Sequence, residues 1–255
     1  MSIGTFTLVK NEARWMGPHL ASWLPHVSQM VFFDGNSTDG TLDIIKDFQK
    51  SHPEGKKILL VEGQDPKDLK DDYVRLFNEC IGRLTTDYAA FVHPDMILMR
   101  PGDFNLSSPA ATMEMVSFGG EPDGLLYRID GRGTAWKNIY FRGLGLHYFG
   151  HYGTVEEDCY FRDITGDIHS PNHHPYAVEK SGALVYHFSD VRPLSRRIDR
   201  MVKCLMNQGA NEKQALEMAE QHPRVTLRSG HGFSFFAENY PPIFQTWKEA
   251  LCVKS

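Results

Sequence analysis

Apolar positions in the first hundred residues alternate between two periods. Short β-branched and aromatic runs at Gly4–Val9 (GTFTLV), Met30–Phe33, Lys57–Glu62 (KILLVE) and Tyr88–Val92 read as strands. Between them, apolar residues recur at helical spacing. Trp15–Leu24 is closed by Pro25, and Leu42–Gln49 follows the N-cap types Ser37, Thr38 and Asp39. Asp71–Leu84 puts Tyr73, Leu76, Phe77, Cys80, Ile81 and Leu84 on one face. Strand and helix in strict alternation predict an α/β fold with a mostly parallel sheet covered by helices. Ligands of such sheets sit beyond the carboxyl ends of the strands. Three of the four strands run there into polar residues: Lys10-Asn11-Glu12, Asp34 to Asp39, and His93-Pro94-Asp95.

The second half is less regular. Met113–Phe118 and Ala183–Phe188 read as strands, Pro193–Asn207 as a basic amphipathic helix and Asn211–Gln221 as another helix. Residues 119–182 are rich in Gly, Tyr and His and predict long loops or short strands around a site. The last thirty residues carry aromatics that suggest a packing tail. We expect a catalytic domain over residues 1–190 and a helical, aromatic C-terminal extension over 191–255 packed on it.

Composition narrows the partners. The 255 residues are 41% hydrophobic and 23% charged, ordinary for a globular chain, and the net charge of −5 creates no overall field toward nucleic acid or anionic lipid. Four scattered cysteines without CxxC spacing read as free thiols in a reducing compartment. No signal-peptide pattern and no apolar run of membrane-spanning length occurs, so a cytoplasmic location with no membrane span is the expectation.

Four segments in order carry a family likeness: LVKNEARW (Leu8 to Trp15), VFFDGNSTDGT (Val31 to Thr41), Arg75 with Asn78, and TTDYAAFVHPDMIL ending in His93-Pro94-Asp95. Together they resemble family 2 and related glycosyltransferases of the GT-A type. The resemblance covers about residues 5–100. It implies a mixed, mainly parallel sheet flanked by helices. It also implies glycosyl transfer from a nucleoside diphosphate sugar, UDP-sugar favoured, to a hydroxyl acceptor. Val9, Asn11, Glu12, Asp34, Asn36, Asp39, Arg75 and His93 would then bind the donor, with Asp34 accepting from the base. Asp95 aligns with the last carboxylate of the family's Asp-x-Asp metal motif, and His93 replaces the first. Asp95 and a distant His187 would hold Mn²⁺ or Mg²⁺, which neutralises the leaving diphosphate. Inverting relatives carry an acidic pair after the acceptor-side loops. Asp158, with Glu157 beside it, would by that likeness deprotonate the acceptor.

The residues alone leave plainer readings open. Asp34 to Thr41 is also an ordinary helix start, His93-Pro94-Asp95 a turn, and Glu156 to Asp158 an acidic helix start capped by Thr154. His187 suits a half-buried strand position as well as a ligand. Trp136, Tyr140, Tyr148 and Tyr152 suit core packing as well as sugar stacking. A nucleotidyltransferase, or a non-catalytic nucleotide- or glycan-binding protein, is the alternative. The acceptor (saccharide, lipid, protein or a modified DNA base) is open, and the basic Arg192–Lys203 helix keeps DNA among the choices.

Overall fold

The computed structural model describes residues 1–64, 71–120, 126–129, 135–145, 147–151, 159–166, 168–169, 178–207, 209–221 and 233–235. They form two compact units. The first holds Met1–Glu114, Trp136–Tyr152 and Glu157–Val185; the second holds Met115–Ala135, Gly153–Glu156 and Tyr186–Ser255.

The first unit opens with the expected alternation: β1 (Ile3–Val9), α1 (Ala13–Trp23), β2 (Gln29–Asp34), α2 (Thr41–Ser51), β3 (Ile58–Glu62), α3 (Asp71–Arg83) and β4 (Tyr88–Phe91). β1 pairs in parallel with β2 on one side and with β4 on the other, and β2 pairs in parallel with β3. The chain thus builds outward from β1 to β3, then returns through α3 to the opposite side of β1. That reversal is a topological switch point, the place where open α/β sheets bind ligands. β8 (Ala135–Phe141) runs antiparallel to β4, which makes the sheet mixed. The expected fold class, an α/β mixed sheet flanked by helices, is the one found.

Alternation decides which helix covers which face. Phe6, Val31, Phe33, Ala89 and Phe91 form one buried cluster with Leu76, Phe77 and Cys80 of α3 and with Leu84 just after it. Phe77 packs its ring 4.4 Å from Phe91 and edge-on to Phe6 at 5.6 Å, geometries aromatic pairs favour. Gly4 lies on that face because α3 ends against it: a Cβ there would meet Leu84 Cδ2 at 2.5 Å and Thr86 Oγ1 at 2.6 Å. Deep among these groups, Cys80 has its thiol pushed up to about 12, first by burial and then by Glu79. It is a packing residue and not a nucleophile. The opposite face carries Phe32, and there His19 of α1 meets it edge-on at 5.8 Å.

β5 (Met96–Arg100) follows the turn after β4 and pairs with β12 (Val178–Val191). Neither β5 nor the full length of β12 was expected from the sequence, where only Ala183–Phe188 reads as a strand. β6 (Ala110–Gly120) is likewise longer than Met113–Phe118, and it lies beside β8. Residues 119–182 supply short strands, including β9 (His147–His151), β10 (Cys159–Arg162) and β11 (Ile168–His169), which form a three-stranded sheet of their own.

In the second unit the end of β6 pairs antiparallel with β7 (Leu126–Ile129), which pairs with β13 (Phe233–Phe235). α4 (Leu194–Asn207) and α5 (Glu212–Gln221) pack through Leu205, Ala215 and Ala219. Arg197, on the helix read as basic and amphipathic, turns inward. It is buried and donates to the carbonyls of Gly120 at 2.7 Å and Arg192 at 2.8 Å. Among the described residues no helix is long and apolar enough to cross a membrane.

Candidate functional site

The loops after β1 and β2 are joined by hydrogen bonds between distant residues. Asn11 adopts left-handed backbone geometry (φ 54°), and so does Asn36 (φ 64°), a conformation asparagine tolerates better than most residues. The Asn11 amide donates to Ser37 Oγ at 2.9 Å, and Thr38 N donates back to Asn11 Oδ1 at 2.8 Å. Next to it, Glu12 N donates to Thr41 Oγ1 at 2.8 Å.

Asp39 ties both helix starts together. Its Oδ2 accepts from Ala13 N, the first residue of α1, at 3.1 Å. Its Oδ1 accepts from Thr41 N at 3.1 Å and from Thr41 Oγ1 at 2.5 Å, at the start of α2. A carboxylate at two helix N-termini satisfies donors that otherwise have no intrahelical partner. α1 therefore begins two residues before the Trp15 read from the sequence, since its cap comes from a loop 26 residues away. Replacing Asp39 with Ala is expected to lower unfolding free energy by about 1–2 kcal/mol. Urea denaturation checks this, and an unchanged midpoint would rule out the tie.

Asp34 occupies the last position of β2, opposite Val9 of β1 and Glu62 of β3. Its side chain is buried, with the residue only 2% exposed. Oδ2 accepts from Ser37 N at 2.9 Å, and no described residue donates to Oδ1. A buried carboxylate oxygen without a donor costs free energy, and native structures keep few of them. This one sits at the carboxyl end of β2, where the topology calls for a ligand.

β4 brings the third loop. Val92 N donates to Phe6 O at 3.1 Å, which carries the β1–β4 pairing to the edge of the turn. His93-Pro94-Asp95-Met96 then forms a turn closed by Met96 N to His93 O at 3.0 Å. His93 is half-buried with its ring 4.6 Å from Phe91, and Asp95 is buried at 3% exposure.

The fold therefore brings Val9, Asn11, Glu12, Asp34, Asn36 and Asp39 onto two adjoining loops. His93 and Asp95 lie on the next strand's loop, on the other side of β1. Arg75 lies on α3, largely exposed, with its guanidinium 3.7 Å from Glu79. Asn78, one turn on, donates to Val74 O at 2.9 Å and lies 3.4 Å from His147 Nε2. Tyr140, offered as a sugar platform, is buried in the α3-side core. His187 is buried and belongs to the second unit. Glu157, Asp158 and Tyr152 lie outside the described residues, as do the side chains of Trp136 and Tyr148.

Among the described residues no group of three His, Cys, Asp or Glu could hold a metal alone. A carboxylate and an imidazole two residues apart nevertheless suit a cation that takes its other ligands from substrate phosphates. Magnesium-type sites commonly use one or two carboxylates plus phosphate oxygens, and an imidazole favours Mn²⁺.

The sequence reading did not single out His19 or Trp23, both buried on α1. Their ring nitrogens both donate to Met96 O, His19 Nδ1 at 2.9 Å and Trp23 Nε1 at 3.0 Å. Two N–H-bearing rings four residues apart on an apolar helix face were the available signal.

No protein-family model matches the chain, and no curated protein matches it significantly. Solved structures do resemble it. The mannosyltransferase PcManGT from Pyrobaculum calidifontis, in complex with GDP-Man and Mn²⁺, gives a TM-score of 0.48 at 13% identity, covering 89% of this chain and 73% of that one. S. aureus TarS 1–349 in complex with UDP gives 0.44 at 12%, covering 84% and 68%. GalNAc-T7 with UDP, GalNAc and Mn²⁺ gives 0.46 at 8%, covering 86% of this chain and 53% of that one, so the chain spans about half of that protein's length. Fold likeness does not assign chemistry, which has to be argued from the site.

Proposed function

We propose that the chain is a glycosyltransferase that uses a nucleoside diphosphate sugar and a divalent metal. The observation that carries the reading is Asp34: a buried carboxylate at the carboxyl end of β2, with Oδ1 accepting from no described residue, beside the switch point between β1 and β4.

An acceptor-only group selects ligands that present a donor. Uracil and guanine carry a ring N–H, whereas cytosine presents a bare ring nitrogen at the corresponding position. Asp34 therefore favours a UDP- or GDP-sugar over a CDP-sugar, and UDP is the preferred assignment. Asn11 and Asp39 hold the two loops in register, and Asn36 takes a left-handed turn within the second, so that the base meets a preformed edge. The Asn11-Glu12 turn is knitted to Ser37 and Thr41 and carries no glycine-rich phosphate loop, which disfavours the nucleotidyltransferase reading.

Asp95, with His93 assisting, would hold the metal against the diphosphate. Bound there, Mn²⁺ or Mg²⁺ supplies Lewis-acid neutralisation of the leaving group. Asp95 is buried, so its carboxylate would act on a bound cation through a low-dielectric setting, more strongly than in water. Direct displacement with inversion, with Asp158 or Glu157 taking the acceptor's proton, is the mechanism suggested by the family likeness of those residues. The acceptor is a saccharide or another hydroxyl-bearing molecule.

Sugar-nucleotide hydrolysis without acceptor tests the proposal. UDP-sugar cleavage is expected in Mn²⁺, to be lost on chelation, and to fall at least about a hundredfold in Asp95→Ala. Cleavage indifferent to chelator would overturn the metal role. Nucleotide binding without any cleavage or transfer would leave a non-catalytic binding protein.

A further inference from the structure

β5 has one edge paired with β12, and side chains of α1 take up backbone groups beyond that pairing. The Met96 carbonyl accepts two side-chain hydrogen bonds, from His19 Nδ1 at 2.9 Å and Trp23 Nε1 at 3.0 Å. Two residues on, Leu98 N donates to Ser22 Oγ at 3.2 Å, and that hydroxyl donates to His19 O at 3.0 Å. A carbonyl oxygen has two lone pairs, so Met96 O is saturated and its peptide plane is fixed from two directions.

The histidine is a costly way to fill this space. It is 0% exposed, and no described residue donates to its Nε2. A buried acceptor left without a donor costs roughly 1–3 kcal/mol, which a leucine or phenylalanine in the same place avoids. What the imidazole provides and an apolar residue does not is the N–H on Met96 O. A carbonyl can only accept, so Nδ1 carries the proton. That carbonyl belongs to the residue next to Asp95, at the close of the turn whose Met96 N donates to His93 O at 3.0 Å.

We infer that His19 and Trp23 are positioning residues for the Asp95 carboxylate. By saturating the Met96 carbonyl they fix the turn that presents Asp95, and so set the affinity of the site for a divalent cation. The inference rests on the proposal that Asp95 binds metal. Groups one step removed from a metal ligand commonly control its affinity by 10- to 100-fold through orientation.

The test is Mn²⁺ titration followed by electron paramagnetic resonance in the presence of UDP, with calorimetry of UDP alone in chelator. The proteins are wild type, His19→Leu, Trp23→Phe and His19→Asn, each checked for folding by circular dichroism. His19→Leu is expected to weaken Mn²⁺ by about 10- to 100-fold, and Trp23→Phe, which keeps most of the ring volume, by a smaller factor in the same direction. Metal-free UDP affinity stays at the wild-type value in both. His19→Asn, whose side-chain amide places an N–H near that of Nδ1, restores most of the loss. Unchanged Mn²⁺ affinity in folded His19→Leu and Trp23→Phe would overturn the inference. So would an equal loss of metal-free UDP binding, which would indicate general loosening. If wild type itself shows no Mn²⁺ binding with UDP, the metal role of Asp95 fails first, and the two failures are told apart by that control.

Discussion

Asp34→Asn is expected to weaken UDP binding by about one to two orders of magnitude, the worth of a hydrogen bond to a charged buried group. The amide oxygen can still accept from Ser37 N, as Asp34 Oδ2 does at 2.9 Å. The other position becomes an NH₂ facing the ring N–H of uracil, so a donor meets a donor. Cytosine reverses the pairing, since its bare ring nitrogen accepts from an amide. The substitution should therefore move preference from UDP toward CDP while leaving the Mn²⁺ requirement in place. Calorimetry of both nucleotides measures the swap. Equal weakening of UDP and CDP, or no change in either, would remove Asp34 from base recognition.

His19 supplies the second large effect, on stability. Burial, the leading cause, lowers its pKa from 6.5 to about 4, opposed by the Met96 carbonyl and by Asp95. The unfolded chain therefore binds a proton between these values that the folded chain refuses. Stability from this group is complete above pH 6.5, declines as pH falls toward 4, and is then lost, a total of about 3 kcal/mol. About 2 kcal/mol of it should disappear between pH 7.5 and 5. Asp87, Glu54 and Glu179 have lowered pKa values, chiefly through bonds from Ser2, Lys57 and Ser107 respectively. They also destabilise on acidification, but below their unfolded values of 3.8 to 4.5, so the range from pH 5 to 6.5 belongs mainly to histidine. Urea denaturation across that range should show a slope in wild type that is largely absent in His19→Leu. Equal slopes would place the imidazole in contact with water.

The chain up to the end of β4 was legible because each local signal agreed with the global fold. Apolar runs marked β1 to β4, helical spacing marked α1 to α3, and polar residues after the strands marked the loops that adjoin the switch point. What escaped depends on partners far along the chain. β12 begins at Val178 with a polar Glu-Lys-Ser stretch that local propensity reads as loop. In the structure Glu179 accepts from Ser107 N at 2.9 Å and Ser108 N at 3.2 Å, and Ser181 Oγ donates to Thr112 O at 2.8 Å. β5 was hidden because its apolar residues follow β4 after a turn of only a few residues and its neighbour arrives eighty residues later.

Asp39 was legible as a helix-start residue. The sequence placed it at a helix start with a hand in donor binding. The structure commits both its oxygens to backbone and hydroxyl donors of two loops. His19 went unnoticed because its partner is a carbonyl 77 residues away, and its spacing from Trp23 was the one local signal.

Whether Asp34 and Asp95 build a metal-dependent sugar-nucleotide site is decided by calorimetric titration. UDP, GDP and CDP would be added to wild type and Asp95→Ala, with and without Mn²⁺. One ring-N–H nucleotide, UDP first, is expected to bind tightly only with Mn²⁺, and Asp95→Ala to lose the metal-dependent part. Failure of every nucleotide to bind, or binding that ignores both Mn²⁺ and Asp95, would contradict such a site.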